Sequence, residues 1–162
     1  MIVTGLGVDS HRFAPGRPLI LGGVDIPNEE GLDGHSDADV LTHAIMDALL
    51  GAAGMGDIGQ HFPDTDPQFK DADSLQLLAA VVLSLERNGF RIVNVDATIM
   101  MERPKVSPYR DEIKARLAEA LGTPRVNVKA TTGERMGFVG RGEGAAAMAI
   151  ATLDRPEVSG RA

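Results

Sequence analysis

The sequence predicts an α+β fold: a two-layer sandwich of one mainly four-stranded mixed sheet with helices on one face, plus a small N-terminal hairpin. Strand-like segments alternate along the chain with two or three helical ones. The 162 residues are too few for a doubly wound fold with two halves. Because 43% of residues are hydrophobic and no Gly- or Pro-rich linker divides the chain, we expect a single domain over residues 1–162.

The first elements are two strand-like runs, at residues 2–9 and 18–26. Turn residues at 14–16 lie between them, and Gly22-Gly23 breaks the second run. The two runs could form the hairpin.

Two helices are expected next. Apolar residues recur at helical spacing over 37–53, and Ser36 with Asp39 three residues later is an acceptable N-cap pattern. A loop rich in Asp, Pro and Gly follows at 56–73, long enough to suggest a functional role. The second helix is predicted over about 74–87.

The second half of the chain predicts a strand at 90–101, a helix at about 109–121 and a strand at 126–131. The small apolar residues over 145–153 could form a closely packed strand or a short helix. Because this is the last structured segment, we favour an edge or interface strand, followed by a flexible tail at 154–162. With so few helices, one face of the sheet needs another cover, which self-association would supply.

Composition excludes several functions. The chain has no Cys, so any metal must be held by His and carboxylates, and a reducing cytoplasm is the expected location. No apolar run approaches the roughly 20 residues of a membrane span, and the net charge of −7 argues against nucleic acid as a partner. The charge is uneven, however, at −10 over residues 1–73 and +3 over 74–162. The first half is therefore suited to cations and the second to anions.

The acidic half contains candidate metal ligands. Asp9 and His11 stand at i and i+2, on the same face of a strand. His43 could be a third ligand, since an Asp-His-His set leaves an open position for a substrate oxygen. The alternatives are a surface Asp–His pair without a metal, a local pair of Asp39 with His43, or a His43 packed at the edge of the apolar stripe.

The basic half contains a candidate phosphate-binding loop. Residues 129–144 combine a strand end, two hydroxyls, Glu134, two arginines and five glycines. The order of a P-loop is missing, and a flexible glycine-rich hairpin is the alternative. Together the two halves indicate a metal-dependent enzyme that acts on a phosphorylated small molecule.

An ordered set of motifs spans about residues 1–153: Asp9-x-His11, Gly34-His35-Ser36-Asp37-x-Asp39-Val40, His43, Asp47-Ala48-Leu49-Leu50-Gly51, Gly56-Asp57-Ile58-Gly59, Phe62-Pro63-Asp64-Thr65-Asp66, Asn94-Val95-Asp96, Pro104-Lys105, Val128-Lys129-Ala130-Thr131-Thr132 and Gly137-Phe138-x-Gly140-Arg141-Gly142-Glu143-Gly144. In this set the chain resembles the 2-C-methyl-D-erythritol 2,4-cyclodiphosphate synthases of the non-mevalonate isoprenoid precursor pathway. One position departs from the pattern, because the family commonly has a third Thr where this chain has Gly133.

The resemblance implies a phosphorus–oxygen lyase that converts 4-diphosphocytidyl-2-C-methyl-D-erythritol 2-phosphate into the cyclic diphosphate and CMP. It implies a homotrimer with sheets packed around the axis and active sites between subunits. Zn²⁺ would be bound by Asp9, His11 and His43, and a second divalent ion, Mg²⁺ or Mn²⁺, by Glu134 and the substrate phosphates. His35 and Thr132 would be the catalytic residues, steadying developing charge by hydrogen bonds.

The resemblance also implies two groups of substrate-binding residues. Besides Asp9 and His11, the methylerythritol phosphate pocket would be lined by His35, Ser36, Asp57, Ile58, Gly59, Phe62, Pro63, Asp64, Thr65 and Asp66. From the adjacent subunit, the cytidine diphosphate portion would be held by Met101, Glu102, Arg103, Pro104, Lys105, Val106, Ser107, Ala130, Thr131, Thr132, Gly133, Glu134, Phe138 and Arg141. The alternatives are a metal-dependent phosphoesterase and a non-enzymatic trimeric module that binds metal or isoprenoid.

Overall fold

The computed structural model describes residues 1–156. Its strands are β1 (Ile2–Pro15), β2 (Leu19–Leu21), β3 (Val24–Ile26), β4 (Glu30–Leu32), β5 (Arg91–Met100), β6 (Val126–Thr131) and β7 (Gly144–Asp154). Its helices are α1 (Val40–Ala53), α2 (Ile58–His61), α3 (Ser74–Arg87), α4 (Arg110–Leu121) and α5 (Gly137–Gly140), with single 3₁₀ turns at Pro67–Phe69 and Ser107–Tyr109.

The main sheet has the strand order β4-β1-β7-β5-β6. Strands β5 and β6 are parallel, while β7 is antiparallel to β1 on one side and to β5 on the other. Helix α1 packs on β1 and β7, α4 packs on β6, and α3 lies against α1 and α4. The predicted α+β fold, with a mixed sheet of mainly four strands and helices on one face, is confirmed.

The predicted pairing of the N-terminal hairpin is wrong. Strand β1 pairs with β4 and β7, and the small hairpin is formed within the second run, by β2 and β3. Gly22 and Gly23 form its turn, both at positive φ, so the residues read as a break are the bend of the hairpin.

Helix α1 is capped by Asp39, not by Ser36. The Asp39 carboxylate is fully buried and accepts hydrogen bonds from Thr42 N at 3.0 Å and Thr42 Oγ1 at 2.7 Å. It also accepts from Gly22 N and Gly23 N at 3.0 and 2.8 Å. One carboxylate therefore caps the helix and ties the β2–β3 turn to it.

The last strand is central, not at an edge. β7 is hydrogen-bonded on both sides, and its alternate residues Ala145, Ala147, Ala149 and Ala151 are buried beneath α1. The strand continues to Asp154, which pairs with Ile2 and Arg91, so the predicted tail cannot begin there. The rest of that prediction, from residue 157 on, lies outside the described residues.

Close contact between α1 and β1 determines where the site forms. The Cβ that any other residue would place at Gly7 would overlap Ala44 O, and one at Gly5 would overlap Ala48 O. Only glycine lets the helix backbone lie directly on the strand. Asp9 and His11, next on the same face of β1, are thereby brought beneath the first turns of α1.

The opposite face of the sheet exposes apolar side chains. Leu6 and Val8 are 59% and 54% exposed, and they lie opposite Ile150 and Met148 of β7, which are 50% and 42% exposed. Adjacent apolar residues on two paired strands form a continuous patch. Within residues 1–156, no helix is both long and apolar enough to cross a membrane.

Candidate active site

Three predicted metal ligands meet at the contact between β1 and α1. Asp9 Oδ2 lies 2.8 Å from His11 Nε2 and 3.1 Å from His43 Nδ1, and these two imidazole nitrogens are 3.2 Å apart. His43 is 7% exposed, while Asp9 and His11 are half-buried. The predicted third ligand is thus placed with the first two.

On each imidazole ring, the nitrogen that faces away from Asp9 has hydrogen-bond partners that favour a proton on it. The lone pair of the neutral ring is then on the nitrogen next to Asp9. His11 Nδ1 is 2.7 Å from Asp33 O, which can only accept, so in the neutral ring Nδ1 carries the proton and the lone pair is on Nε2, the atom next to Asp9. His43 Nε2 lies 3.0 Å from Ser74 Oγ and 3.1 Å from Ser36 Oγ. With the proton on Nε2, His43 likewise presents the Nδ1 lone pair to Asp9. This arrangement of donor atoms attracts a cation.

Electrostatics keep the carboxylate ionised. Burial by itself would raise the pKa of Asp9, but the contacts with the His11 and His43 imidazoles outweigh it and lower the pKa to about 2. For His11, burial opposes the charged form, yet the Asp9 carboxylate raises its pKa above the usual value. A divalent cation bound here would replace the proton that Asp9 favours on His11.

The donor set fits zinc. The ligand atoms of Asp9, His11 and His43 all lie within 4.8 Å of one another. Two nitrogens and one carboxylate oxygen leave a fourth tetrahedral position open, as catalytic zinc sites do. The alternative Asp39–His43 pair is not formed, because the Asp39 side chain is directed to the hairpin turn and Thr42.

A cavity of about 430 Å³ opens beside this group. It is lined by predicted substrate residues and by four that sequence reasoning missed. The predicted substrate residues are Asp9, His11, His35, Ser36, Ile58, Gly59, Phe62 and Asp64, and the predicted metal ligand His43 lines the cavity with them. The four missed residues are Gly34, Met46, Phe69 and Leu77. Asp57, Pro63, Thr65 and Asp66 do not line it: Asp57 caps α2 and Asp66 caps the turn at Pro67–Phe69.

Two polar side chains hold the loops around this cavity. Arg17 donates to Gly34 O at 3.2 Å and to Ser36 O at 2.8 Å, which holds the segment that carries His35. Asp47, on α1, accepts from Ile58 N at 2.8 Å and anchors the start of α2. The cavity is therefore built on rigid elements.

The predicted cytidine-binding residues form a separate cavity of about 340 Å³ at the end of β5 and β6. Its lining comprises Met101, Glu102, Pro104, Lys105, Val106, Ser107, Ala130, Thr131, Thr132 and Glu134. Of the remaining predicted residues, Arg103 and Arg141 line a different cavity, and Gly133 and Phe138 line neither of these two. Glu134 does not join the Asp9–His11–His43 group within this chain.

Packing explains the glycine at position 133. A Cβ there would overlap Gly140 N and would lie 2.8 Å from Gly140 Cα, so α5 could not approach the loop as it does. Gly133 N donates to Glu102 Oε2 at 3.0 Å, which connects the two segments of the second cavity. The predicted catalytic Thr132 is 3.3 Å from Glu134 Oε1 through its hydroxyl.

The YgbB family model matches residues 2–154. The chain belongs to the YgbB family. A relative from Enterococcus faecalis, named 2-C-methyl-D-erythritol 2,4-cyclodiphosphate synthase, is 59% identical over 96% of this chain and 100% of its own length. A Geobacillus kaustophilus relative of the same name is 57% identical over 96% of this chain and 99% of its own. The resemblance found in the sequence is thus confirmed.

A solved structure of a YgbB-family relative gives a further comparison. It is a 2C-methyl-D-erythritol-2,4-cyclodiphosphate synthase in its CDP-bound form, with a TM-score of 0.86 and 36% identity over 93% of this chain and 99% of its own.

For this YgbB-family chain the structure adds a polar contact of the ligand His43 that no sequence pattern indicated. Ser74 is fully buried and touches His43, although a serine at the start of a helix is ordinary in sequence.

Proposed function

We propose that this protein is a 2-C-methyl-D-erythritol 2,4-cyclodiphosphate synthase of the non-mevalonate isoprenoid pathway, a metal-dependent phosphorus–oxygen lyase. It would convert 4-diphosphocytidyl-2-C-methyl-D-erythritol 2-phosphate into the cyclic diphosphate and CMP. The observation that carries the proposal is the group of Asp9, His11 and His43, whose ligand atoms lie close together in the lining of a cavity, in a chain of this family.

The reaction needs no protein nucleophile. An oxygen of the substrate's own 2-phosphate attacks the β-phosphorus, the bond from that phosphorus to the oxygen bridging the α-phosphate breaks, and CMP leaves with the bridging oxygen. The enzyme's task is to fold the substrate so that the attack is in line, and to compensate negative charge. Both tasks suit a site made of cavities and cations.

Metal ions would supply the charge compensation. Zn²⁺ bound by Asp9, His11 and His43, and Mg²⁺ or Mn²⁺ bound by Glu134 with the substrate phosphates, would withdraw charge from phosphate oxygens as the bond to CMP breaks. The lone-pair geometry supports the first assignment. An exposed carboxylate beside Thr132, in the second cavity, supports the other.

The remaining residues would orient the substrate. His35 and Ser36, with Ile58, Gly59, Phe62 and Asp64, would bind the methylerythritol phosphate in the first cavity. Lys105 and the 130–134 loop would bind cytidine diphosphate in the second, where the exposed Thr132 hydroxyl would donate to a phosphate oxygen. The CDP bound to the relative supports this nucleotide as the ligand.

A homotrimer would bring the two cavities together across an interface. The apolar patch of Leu6, Val8, Met148 and Ile150 lies on the face of the sheet that the helices leave bare. Packing three such faces around an axis would bury it. A cytoplasmic location stays a prediction.

Incubating the purified protein with the cytidine substrate, Zn²⁺ and Mg²⁺ tests the proposal, with ³¹P NMR to identify the products. We expect a cyclic diphosphate and CMP in equal amounts. An open-chain phosphate with CMP would identify a phosphoesterase instead. No turnover by protein loaded with both metals would contradict the enzymatic function and leave the metal- or isoprenoid-binding module.

A further inference from the structure

A buried serine, Ser74, and a half-buried carboxylate, Asp37, lie behind the metal-ligand group. Ser74 Oγ contacts His43 Nε2 at 3.0 Å, on the side of the ring away from Asp9. Both Oγ and N of Ser74 donate to the Asp37 carboxylate, the latter at 2.9 Å. Ser74 has no exposed surface, so its contacts with His43 and Asp37 are shielded from solvent on the Ser74 side.

The direction of these hydrogen bonds determines the tautomer of His43. An ionised carboxylate only accepts hydrogen bonds, so the Ser74 hydroxyl must be the donor in its hydrogen bond with Asp37. The Ser74 oxygen is then left as an acceptor, and the matching donor is His43 Nε2–H. With the proton on Nε2, the lone pair of His43 is on Nδ1, the atom that lies 3.1 Å from Asp9 Oδ2 and 3.2 Å from His11 Nε2.

Ser36 is less suited to this role. Its Oγ lies 3.1 Å from the same nitrogen, but its contacts are otherwise limited to accepting from Ala38 N at 3.3 Å. Nothing directs its hydroxyl proton away from His43. Ser36 also lines the first cavity, where the substrate would meet it.

We propose that Asp37 and Ser74 are positioning residues that hold His43 in its metal-binding tautomer and orientation. The inference rests on the proposed zinc site and adds two residues from outside the ligand set. The Asp37 carboxylate is itself held in place, because it also accepts a hydrogen bond from the backbone N of Asp39, the residue that caps α1, at 3.1 Å. The start of helix α1 and the start of helix α3 are thereby joined behind the metal site. Outer partners of metal-bound histidines commonly change metal affinity by about 10–100-fold.

Zinc affinity of the full-length protein tests this, measured by competition with a chromogenic chelator for the wild type, Ser74→Ala and Asp37→Asn. We expect both variants to bind zinc about 10–100-fold more weakly. The visible spectrum of the Co²⁺-loaded protein is expected to change in both, since it reports the geometry of the ligands. Asp37→Asn nearly preserves shape but places an amide donor against Ser74, which favours the wrong tautomer. If the Asp37→Asn protein does not fold, the zinc affinity and Co²⁺ spectrum of Ser74→Ala decide whether the positioning role is correct.

The matched control is Asp73→Ala. Asp73 adjoins Ser74 and caps α3 by accepting from Leu75 N at 2.8 Å, and its side chain makes no contact with His43. We expect this variant to melt at a lower temperature with wild-type zinc affinity and Co²⁺ spectrum, which separates helix stability from ligand positioning.

Two results would overturn the inference. The first is a wild type that binds zinc and forms the cyclic product, with Ser74→Ala and Asp37→Asn variants that keep its zinc affinity and Co²⁺ spectrum. In that case only the positioning role is wrong. If the wild type itself binds no zinc in stoichiometric amount, the zinc site of the proposed function fails together with it.

Discussion

The backbone of Ala44 lies directly on Gly7, with no room for a side-chain carbon between the helix and the strand. Gly7 stands two residues before Asp9, and Ala44 directly follows His43. The distance between the metal ligands therefore depends on a position that has no side chain.

Gly7→Ala is expected to force α1 away from β1. Because the added methyl meets backbone and not a flexible side chain, we expect a loss of about 2–3 kcal/mol in the free energy of unfolding, measured in urea, together with weaker zinc binding. The control is Gly51→Ala, in α1, where the nearest atom outside the helix to an added Cβ would be Leu6 O at 4.0 Å. That variant should be stabilised by about 0.5–1 kcal/mol; a Gly7→Ala protein as stable as the wild type would contradict the close contact.

His43→Ala is expected to lose stoichiometric zinc and to lower turnover by orders of magnitude, because two ligands from β1 cannot hold the metal alone. Metal content of the purified protein and product formation are the measurements. His61→Ala is the control, since His61 is exposed and contacts Met55 O, away from the ligand group. Full activity of a metal-free His43→Ala protein would disprove the proposed mechanism.

Leu6→Glu is expected to separate the proposed trimer. The substitution places a charge on the apolar patch, opposite Ile150, where three sheets would pack. Light scattering coupled to size exclusion should report the mass of one chain in place of three. Leu83→Glu is the control, because Leu83 is 46% exposed on helix α3, and it should leave the mass unchanged. A wild type that is already monomeric would refute the assembly.

Thr132→Ala is expected to slow the chemical step without loss of stability. Thr132 is exposed and its contacts, both at 3.3 Å, are with Glu134 alone, so removal of its hydroxyl should change the free energy of unfolding by less than about 0.5 kcal/mol. Single-turnover rates measure the effect. Thr123→Ala, in the turn before β6, should retain the wild-type rate; an unchanged rate in Thr132→Ala would remove this residue from the site.

Gly133→Thr, which introduces the threonine that the family resemblance leads one to expect there, should destabilise this chain by about 1–3 kcal/mol and not improve turnover. The reason is that its Cβ would overlap Gly140 N and displace α5. Thermal unfolding and kcat are the measurements. A Gly133→Thr protein of wild-type stability would show that α5 can shift at little cost.

Local patterns predicted the elements well. Helix α3 runs from Ser74 to Arg87 as expected, because its apolar spacing and its stop at Asn88-Gly89 are properties of neighbouring residues. Pairing between strands was not local. β1 was assigned to the hairpin although it pairs with β4 and β7, since alternation specifies a buried face and not the partner.

The candidate site shows the same difference between local patterns, which the sequence reveals, and contacts between distant segments, which it does not. Asp9 and His11 could be placed together from the sequence because alternate residues of a strand share a face. His43 reaches Asp9 and His11 only because α1 lies directly on β1 at Gly7. The spacing of residues in the sequence could not decide whether His43 is the third ligand. Ser74 gave no signal, because it lies 31 residues from His43 and reaches it only when α3 packs beside α1.

The pairing of the first long strand with the last has a consequence for biosynthesis. The three ligands Asp9, His11 and His43 are all made within the first 43 residues, but β1 acquires its main partner only when β7 has left the ribosome. Until then, the backbone edge of β1 that β7 will cover is unpaired over residues 2–12, a state prone to aggregation. We expect ribosome-bound chains stopped before residue 144 to depend on chaperones, and release of the full chain to complete the sheet.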